Sequence, residues 1–227
     1  MIGTIVNTAA IIIGSILGLF IKGKFTTRIQ KTVMQGISLA VILIGLQMAL
    51  QIEGSVDIII VIFSLVIGGI IGEILKLETK LDNIGNKLKK NFSNDEFFVQ
   101  GFVQTSLIFC VGAMAIMGAI QDGLNNDPSL LLTKSLLDGT TSIAFAATYG
   151  IGVIFSAIPV FLYQGGITLL ASRVQQFLSD PVIKEMTATG GLLIFAIGLN
   201  IIGITKIKVG NLLPSLFIAI IIASFVF

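Results

Sequence analysis

Between Asp138 and Arg173 the chain runs for 34 residues, Gly139 to Ser172, without a charge. A run that long and that apolar belongs in a bilayer. There the backbone must bond to itself, so the stretch is helical. From Ser129 to Ser172, however, one helix would measure about 66 Å at 1.5 Å per residue, twice a ~30 Å hydrocarbon core. It must therefore break. Gly150-Ile151-Gly152 is the expected place, with Asp127-Pro128 starting the first piece and Pro159 bending the second.

The rest of the chain repeats the signal. Charge-free runs cover Met1–Ile21, Thr32–Ile52, Ile58–Gly72, Phe97–Gln121, Met186–Thr205 and Val209–Phe227. Most approach the ~20 residues a spanning helix needs. Mean hydropathy is +1.02 and only 11% of residues are charged, against about 25% in soluble domains. The fold class expected is an all-α integral membrane protein.

Lysine and arginine bias loops toward the cytoplasm. Lys22, Lys24, Arg28 and Lys31 follow the first run, and Lys76, Lys80, Lys87, Lys89 and Lys90 follow the third. The first helix is thus expected to enter from outside and to stay, since the order of charge and apolar run is the reverse of a cleavable signal peptide. Beyond Asp138, two full spans would make eight helices with both termini outside. One span plus a re-entrant piece would make seven, and charge counting does not separate the two.

A weak internal repeat favours eight. A shift of 153 residues lays Lys31 on Lys184, Leu39 on Leu192, Ile44-Gly45-Leu46 on Ile197-Gly198-Leu199, Gln47 on Asn200 and Val56 on Val209. Helices 1 to 3 would then match helices 6 to 8 in inverted topology, as in many transporters. The expected organisation is a single membrane domain, 1–227, with repeat A at 1–75, a cytoplasmic connector at 76–96, central helices at 97–149 and repeat B at 150–227.

Gly14-Ser15-Ile16-Leu17-Gly18 and Gly68-Gly69-Ile70-Ile71-Gly72 place small residues four apart on one helix face, a close-packing device. Such faces lead us to expect a homo-oligomer, most simply a two-fold dimer. In the connector, Leu77, Leu81, Ile84 and Leu88 recur at helical spacing among Lys80, Asp82, Asn83, Lys87 and Lys89. That pattern fits an amphipathic helix on the inner membrane surface. Ser93 and Glu96 form a candidate capping box for the next helix.

Several chemistries are excluded or disfavoured. Histidine is absent and Cys110 is the single cysteine. His-based proton relays, His-ligated metal or haem, and an intramolecular disulfide are therefore ruled out. No Walker motif occurs, which disfavours an ATP-driven pump in one chain. No nucleic-acid surface, cofactor or enzymatic centre is expected.

Asp138 is the leading site candidate. It opens Asp138-Gly139-Thr140-Thr141-Ser142, a carboxylate beside three hydroxyls. A charge in hydrocarbon costs about 2.5–3.5 kcal/mol on insertion scales and so faces a partner or a watery path. The alternative is an interfacial helix cap. As a cation site, Asp138 would supply charge and Thr140, Thr141 and Ser142 neutral oxygens. Asn7, Thr8, Gln47, Gln164 and Asn200 are further candidates to line the route.

Motifs along the whole chain resemble one family. Phe109-Cys110-Val111-Gly112-Ala113-Met114-Ala115-Ile116, Asp122-Gly123-Leu124, Lys134-Ser135, Leu137-Asp138-Gly139, Gly150-Ile151-Gly152-Val153, Tyr163-Gln164-Gly165 and Glu185-Met186-Thr187-Ala188 through Gly198-Leu199-Asn200 occur in its order. They resemble the bacterial YqgA/YdfK-type membrane proteins, a family of unknown function spoken of as a sodium channel or pump. The resemblance implies a multi-pass protein of the bacterial inner membrane and supplies no catalytic residues. Two function classes follow: a small-cation channel or secondary transporter, and a non-transporting membrane scaffold or regulator.

Overall fold

The structure is a computed structural model that describes all residues except Gly23, Phe25, Asn94, Gln176 and Phe177. The side chains of Thr27, Gln30, Ala113 and Val174 also lie outside the description. Asn94 of the expected connector and the Ala113 side chain of the quoted motif fall in that set. Among the described residues the regular elements are all helices. They are α1 (Ile2–Lys22), α2 (Thr27–Ala49), α3 (Ser55–Leu75), α4 (Leu77–Phe92), α5 (Phe98–Cys110), α6 (Ala113–Asn125), α7 (Ser129–Tyr149), a 3₁₀ segment (Gly150–Ser156), α8 (Ala157–Leu169), α9 (Ala171–Val174), α10 (Asp180–Ile202), α11 (Val209–Leu212) and α12 (Pro214–Val226).

Among the described residues, six helical stretches are long and apolar enough to cross a membrane, or seven if α5 and α6 count as one broken span bent by 59°. The all-helical membrane fold expected from composition is therefore present. In that tally the 41 residues Ser129–Leu169 count once. They do not form one straight helix, because Asn7 bonds both Asp138 and Gln164, which a straight helix would hold about 39 Å apart. The chain reverses at Gly150, where φ is +83°, a conformation that suits glycine.

The chain divides into two compact units. The first comprises 1–36, 82–110 and 114–172; the second comprises 37–81, 111–113 and 173–227.

In the first unit α1 lies along α7. A Cβ at Gly3 would meet Leu131, one at Gly14 the Gly139 carbonyl, and one at Gly18 the Ile143 carbonyl and Ala146. The contacts advance together along both helices, so these run parallel. α8 runs the opposite way: Thr4 pairs with Thr168 and Asn7 with Gln164, while Ile11 shares a core cluster with Phe109, Ala157 and Val160. Cys110 packs against the same cluster, the small-residue role its apolar run suggests.

The start of α7 is fixed by Asp127, whose carboxylate accepts the Ser129 hydroxyl at 2.5 Å and the Ser129 N–H at 3.0 Å. Those bonds hold the Asp127 carboxyl below its ordinary range. Pro159 falls in the first turn of α8, where its missing N–H costs least. The capping box expected at Ser93 and Glu96 is replaced by another arrangement. The Ser93 hydroxyl accepts the Asp95 N–H, Asp95 accepts the Phe97 N–H, and α5 begins at Phe98.

In the second unit α10 runs antiparallel to α2, with Gly45 against Gly191 and Phe195, and Gly198 against Ser38 and Ile42. α11 and α12 run antiparallel to α3, with Gly68 against Ser215 of α12 and Gly72 against Asn211 of α11. The small-residue faces noted in the sequence are thus occupied by helix packing inside each unit. The opposite face of α3 presents Ile59, Phe63, Val66, Ile70 and Ile74 outward, as a lipid-facing surface requires.

Candidate functional site

The site lies in the first unit where α1, α7 and α8 meet. Asp138 sits nine residues past Ser129 within α7, about 14 Å along its axis. That places it in the helix interior, so the interfacial-cap alternative does not hold.

Four residues away, one turn back on the same face, Lys134 reaches Asp138 and forms an ion pair in which both side chains are under 10% exposed. The lysine ammonium also stands 5.9 Å from the centre of the Phe109 ring, within cation–π range. The same carboxylate oxygen, Oδ2, accepts Asn7 Nδ2 at 3.0 Å, and that amide also donates to Gln164 Oε1 at 3.2 Å. The Asn7 amide therefore links α1 to both α7 and α8.

The hydrogen bonding is incomplete. Asn7 Oδ1, Gln164 Nε2 and Ser142 Oγ are buried and have no partner among the described residues. Ser142 stands one turn beyond Asp138 on the buried stripe of α7. Buried polar groups are normally satisfied, and each exception calls for an explanation. Here an acceptor, a donor and a hydroxyl are left over around a neutral ion pair.

Close by, the Thr4 and Thr168 hydroxyls lie 3.4 Å apart. Buried Asp122 accepts the Gly3 N–H at 3.0 Å and pairs with the Met1 amino group at 2.9 Å. At the Gly150 reversal Lys22 pairs with Asp95.

Of the residues singled out in the sequence, Asp138, Asn7 and Gln164 are brought together, with Ser142 in the same stripe. The others are not gathered there. Thr140 is exposed, and its hydroxyl donates to the Leu136 and Leu137 carbonyls. Two positions past Asp138 is about 200° around the helix, so it cannot share that face. Thr141 is half-buried. Thr8 donates to the Thr4 carbonyl at 2.8 Å, a local bond within its own helix. Gln47 and Asn200 belong to the second unit. Gln47 is exposed. Asn200 holds the turn after α10, donating to the Ile207 carbonyl at 2.7 Å and accepting the Thr205 hydroxyl and Ile207 N–H. Thr140 and Thr8 thus donate to carbonyls of their own helices, and Asn200 bonds Thr205 and Ile207 within its own turn.

Lys134 is a site residue that the sequence reading leaves without a role, although its i, i+4 spacing to Asp138 is legible.

The chain matches, over residues 2–224, the family described as "Protein of unknown function (DUF554)". It belongs to this family. It is 39% identical over 219 residues to the "Uncharacterized membrane protein YdfK" of Bacillus subtilis (strain 168), covering 96% of this chain and 93% of the relative. It is 30% identical over 225 residues to the "Uncharacterized protein YqgA" of Escherichia coli (strain K12), covering 96% and 94%. No solved structure matches. The resemblance read from the motifs is thus a family membership over nearly the whole chain, and the protein is a membrane protein.

Proposed function

We propose that this membrane protein is a small-cation secondary transporter of the bacterial inner membrane, with Asp138 as the cation-binding carboxylate and Lys134 as its built-in competitor. The observation that carries the reading is the buried Lys134–Asp138 pair flanked by the unpartnered Asn7 Oδ1, Gln164 Nε2 and Ser142 Oγ. A permanent structural ion pair at membrane depth would be expected to have its surrounding polar atoms satisfied. These are not, which suits a site whose partners change during a cycle.

The burial of the pair favours a carrier over an open pore, because carriers close their site from both sides in turn. A cation that takes Asp138 displaces the Lys134 ammonium from the carboxylate, so the two compete for one charge.

The contact pattern also supports an inverted repeat. The 153-residue shift exchanges Gly45 with Gly198, Ser38 with Gly191 and Ile42 with Phe195, so it carries one glycine contact of the α2–α10 pair onto the other. It likewise exchanges Asn7 with Val160 and Ile11 with Gln164 across α1 and α8.

The test is sodium or potassium uptake into liposomes holding the purified protein and a cation-sensitive dye. Wild type should take up the cation, and Asp138→Asn should not. An inert wild type, or an Asp138→Asn variant as active as wild type, would sink the proposal and leave the network as glue between helices, the scaffold reading.

A further inference from the structure

In the second unit, where α3 and α10 both begin, a cavity of about 320 Å³ is lined by Asp57, Asp180, Pro181, Lys184, Glu185 and Phe227. Three carboxylates there face one ammonium. Lys184 Nζ is already held, 3.2 Å from Asp57 Oδ2 and 3.5 Å from Glu53 Oε2. The same Asp57 oxygen accepts the Glu53 N–H at 3.0 Å and the Gly54 N–H at 3.2 Å. Asp57 is therefore well supplied with donors.

Glu185 is not. The residue is 1% exposed, and its Oε2 receives no hydrogen bond from any described residue. A carboxyl oxygen cut off from water needs either its own proton or a donor, and a positively charged donor makes the strongest bond.

We propose that this cavity binds a small organic ammonium ion, with Glu185 accepting its N–H. A divalent metal does not suit it, since no group of three acidic, histidine or cysteine side chains among the described residues converges to hold one. The cavity lies at the lower end of small-molecule sites, which run about 300–1,000 Å³, and is far larger than a bare alkali ion needs. Pro181 and Phe227 give it an apolar wall for a short carbon chain, and an aromatic ring also attracts an ammonium. The residues differ from those of the transport site, and the inference does not rest on that reading.

Isothermal titration of the purified protein at pH 7 with methylammonium, butylammonium and 1,4-diaminobutane tests it. Saturable binding should appear for at least one of these amines. Glu185→Gln should weaken it about tenfold or more, the loss of one charge-assisted hydrogen bond, and Asp180→Asn should weaken it less. Where Glu185→Gln lacks a cooperative unfolding transition, Glu185→Asp replaces it, keeping the charge but withdrawing the oxygen by one methylene. No saturable binding by any of the amines, wild-type affinity in the Glu185 variant, or displacement of the amine by equimolar sodium or potassium would each overturn the proposal.

Discussion

Lys134 changes what a substitution at Asp138 means. Asparagine copies the shape of aspartate, but it leaves the Lys134 ammonium buried without its counter-charge. Breaking one partner of a buried pair costs about 3–5 kcal/mol, whereas replacing both is often neutral. Asp138→Asn should therefore unfold markedly earlier than wild type in detergent, and the double variant Lys134→Met with Asp138→Asn should recover most of the loss. Equal stability of the single and double variants would show that the pair is solvated. Thr140→Val should change neither flux nor stability beyond about 0.5 kcal/mol, because its exposed hydroxyl serves only its own helix.

Two features of the elements bring these residues together: the close approach of α1 to α7 and the reversal at Gly150. At Gly14 a side chain would run into the Gly139 carbonyl, which is backbone and cannot rotate away. Gly14→Leu should therefore cost at least the ~1–3 kcal/mol of an overpacked core, and separating α1 from α7 should also abolish flux. Ser15→Ala, beside it, removes a buried hydroxyl that has no partner among the described residues and should be neutral or stabilising in thermal unfolding. At Gly150 a Cβ would have to accept φ of +83° and would crowd both Asp95 and Lys22. Gly150→Ala is expected to lower stability by about 1 kcal/mol or more. A melting temperature equal to wild type would mean that the reversal tolerates an ordinary backbone.

Across the whole molecule the reversal sets the number of crossings. α7 has 21 residues; the return limb has 7 residues of 3₁₀ helix and 13 of α-helix. At about 1.5 Å and 2.0 Å per residue both limbs reach roughly 31–34 Å, enough for a ~30 Å core. We therefore expect eight crossings with both termini outside. Single cysteines placed in a Cys110→Ala background at Ser129 and Ser172 should react with an impermeant reagent added outside, and one at Ile151 should not. Labelling of Ile151 from outside would refute this arrangement. The two-fold dimer anticipated from the small-residue faces loses that argument, since Gly14, Gly18, Gly68 and Gly72 all pack within their own units. An oligomer would have to form through other faces, and mass measurement in detergent would show whether one does.

The sequence by itself determined the solvent and the local geometry. Charge-free runs of spanning length require helices in hydrocarbon, and Gly150 in the middle of an overlong run requires a break, because both follow from contacts along the chain. It also identified Asp138 as a charge needing a partner. What it could not decide was the partner. Helical period tells which residues share a face and not which face another helix will cover, so Thr140 looked as eligible as Ser142, and Asn200 as eligible as Gln164. Only the packing of α1 and α8 on α7 selected Asn7 and Gln164 and left Lys134 buried over Phe109. That choice depends on glycines four positions apart, Gly14 and Gly18, fitting a particular neighbour's backbone, a property of helix pairs that no single helix carries.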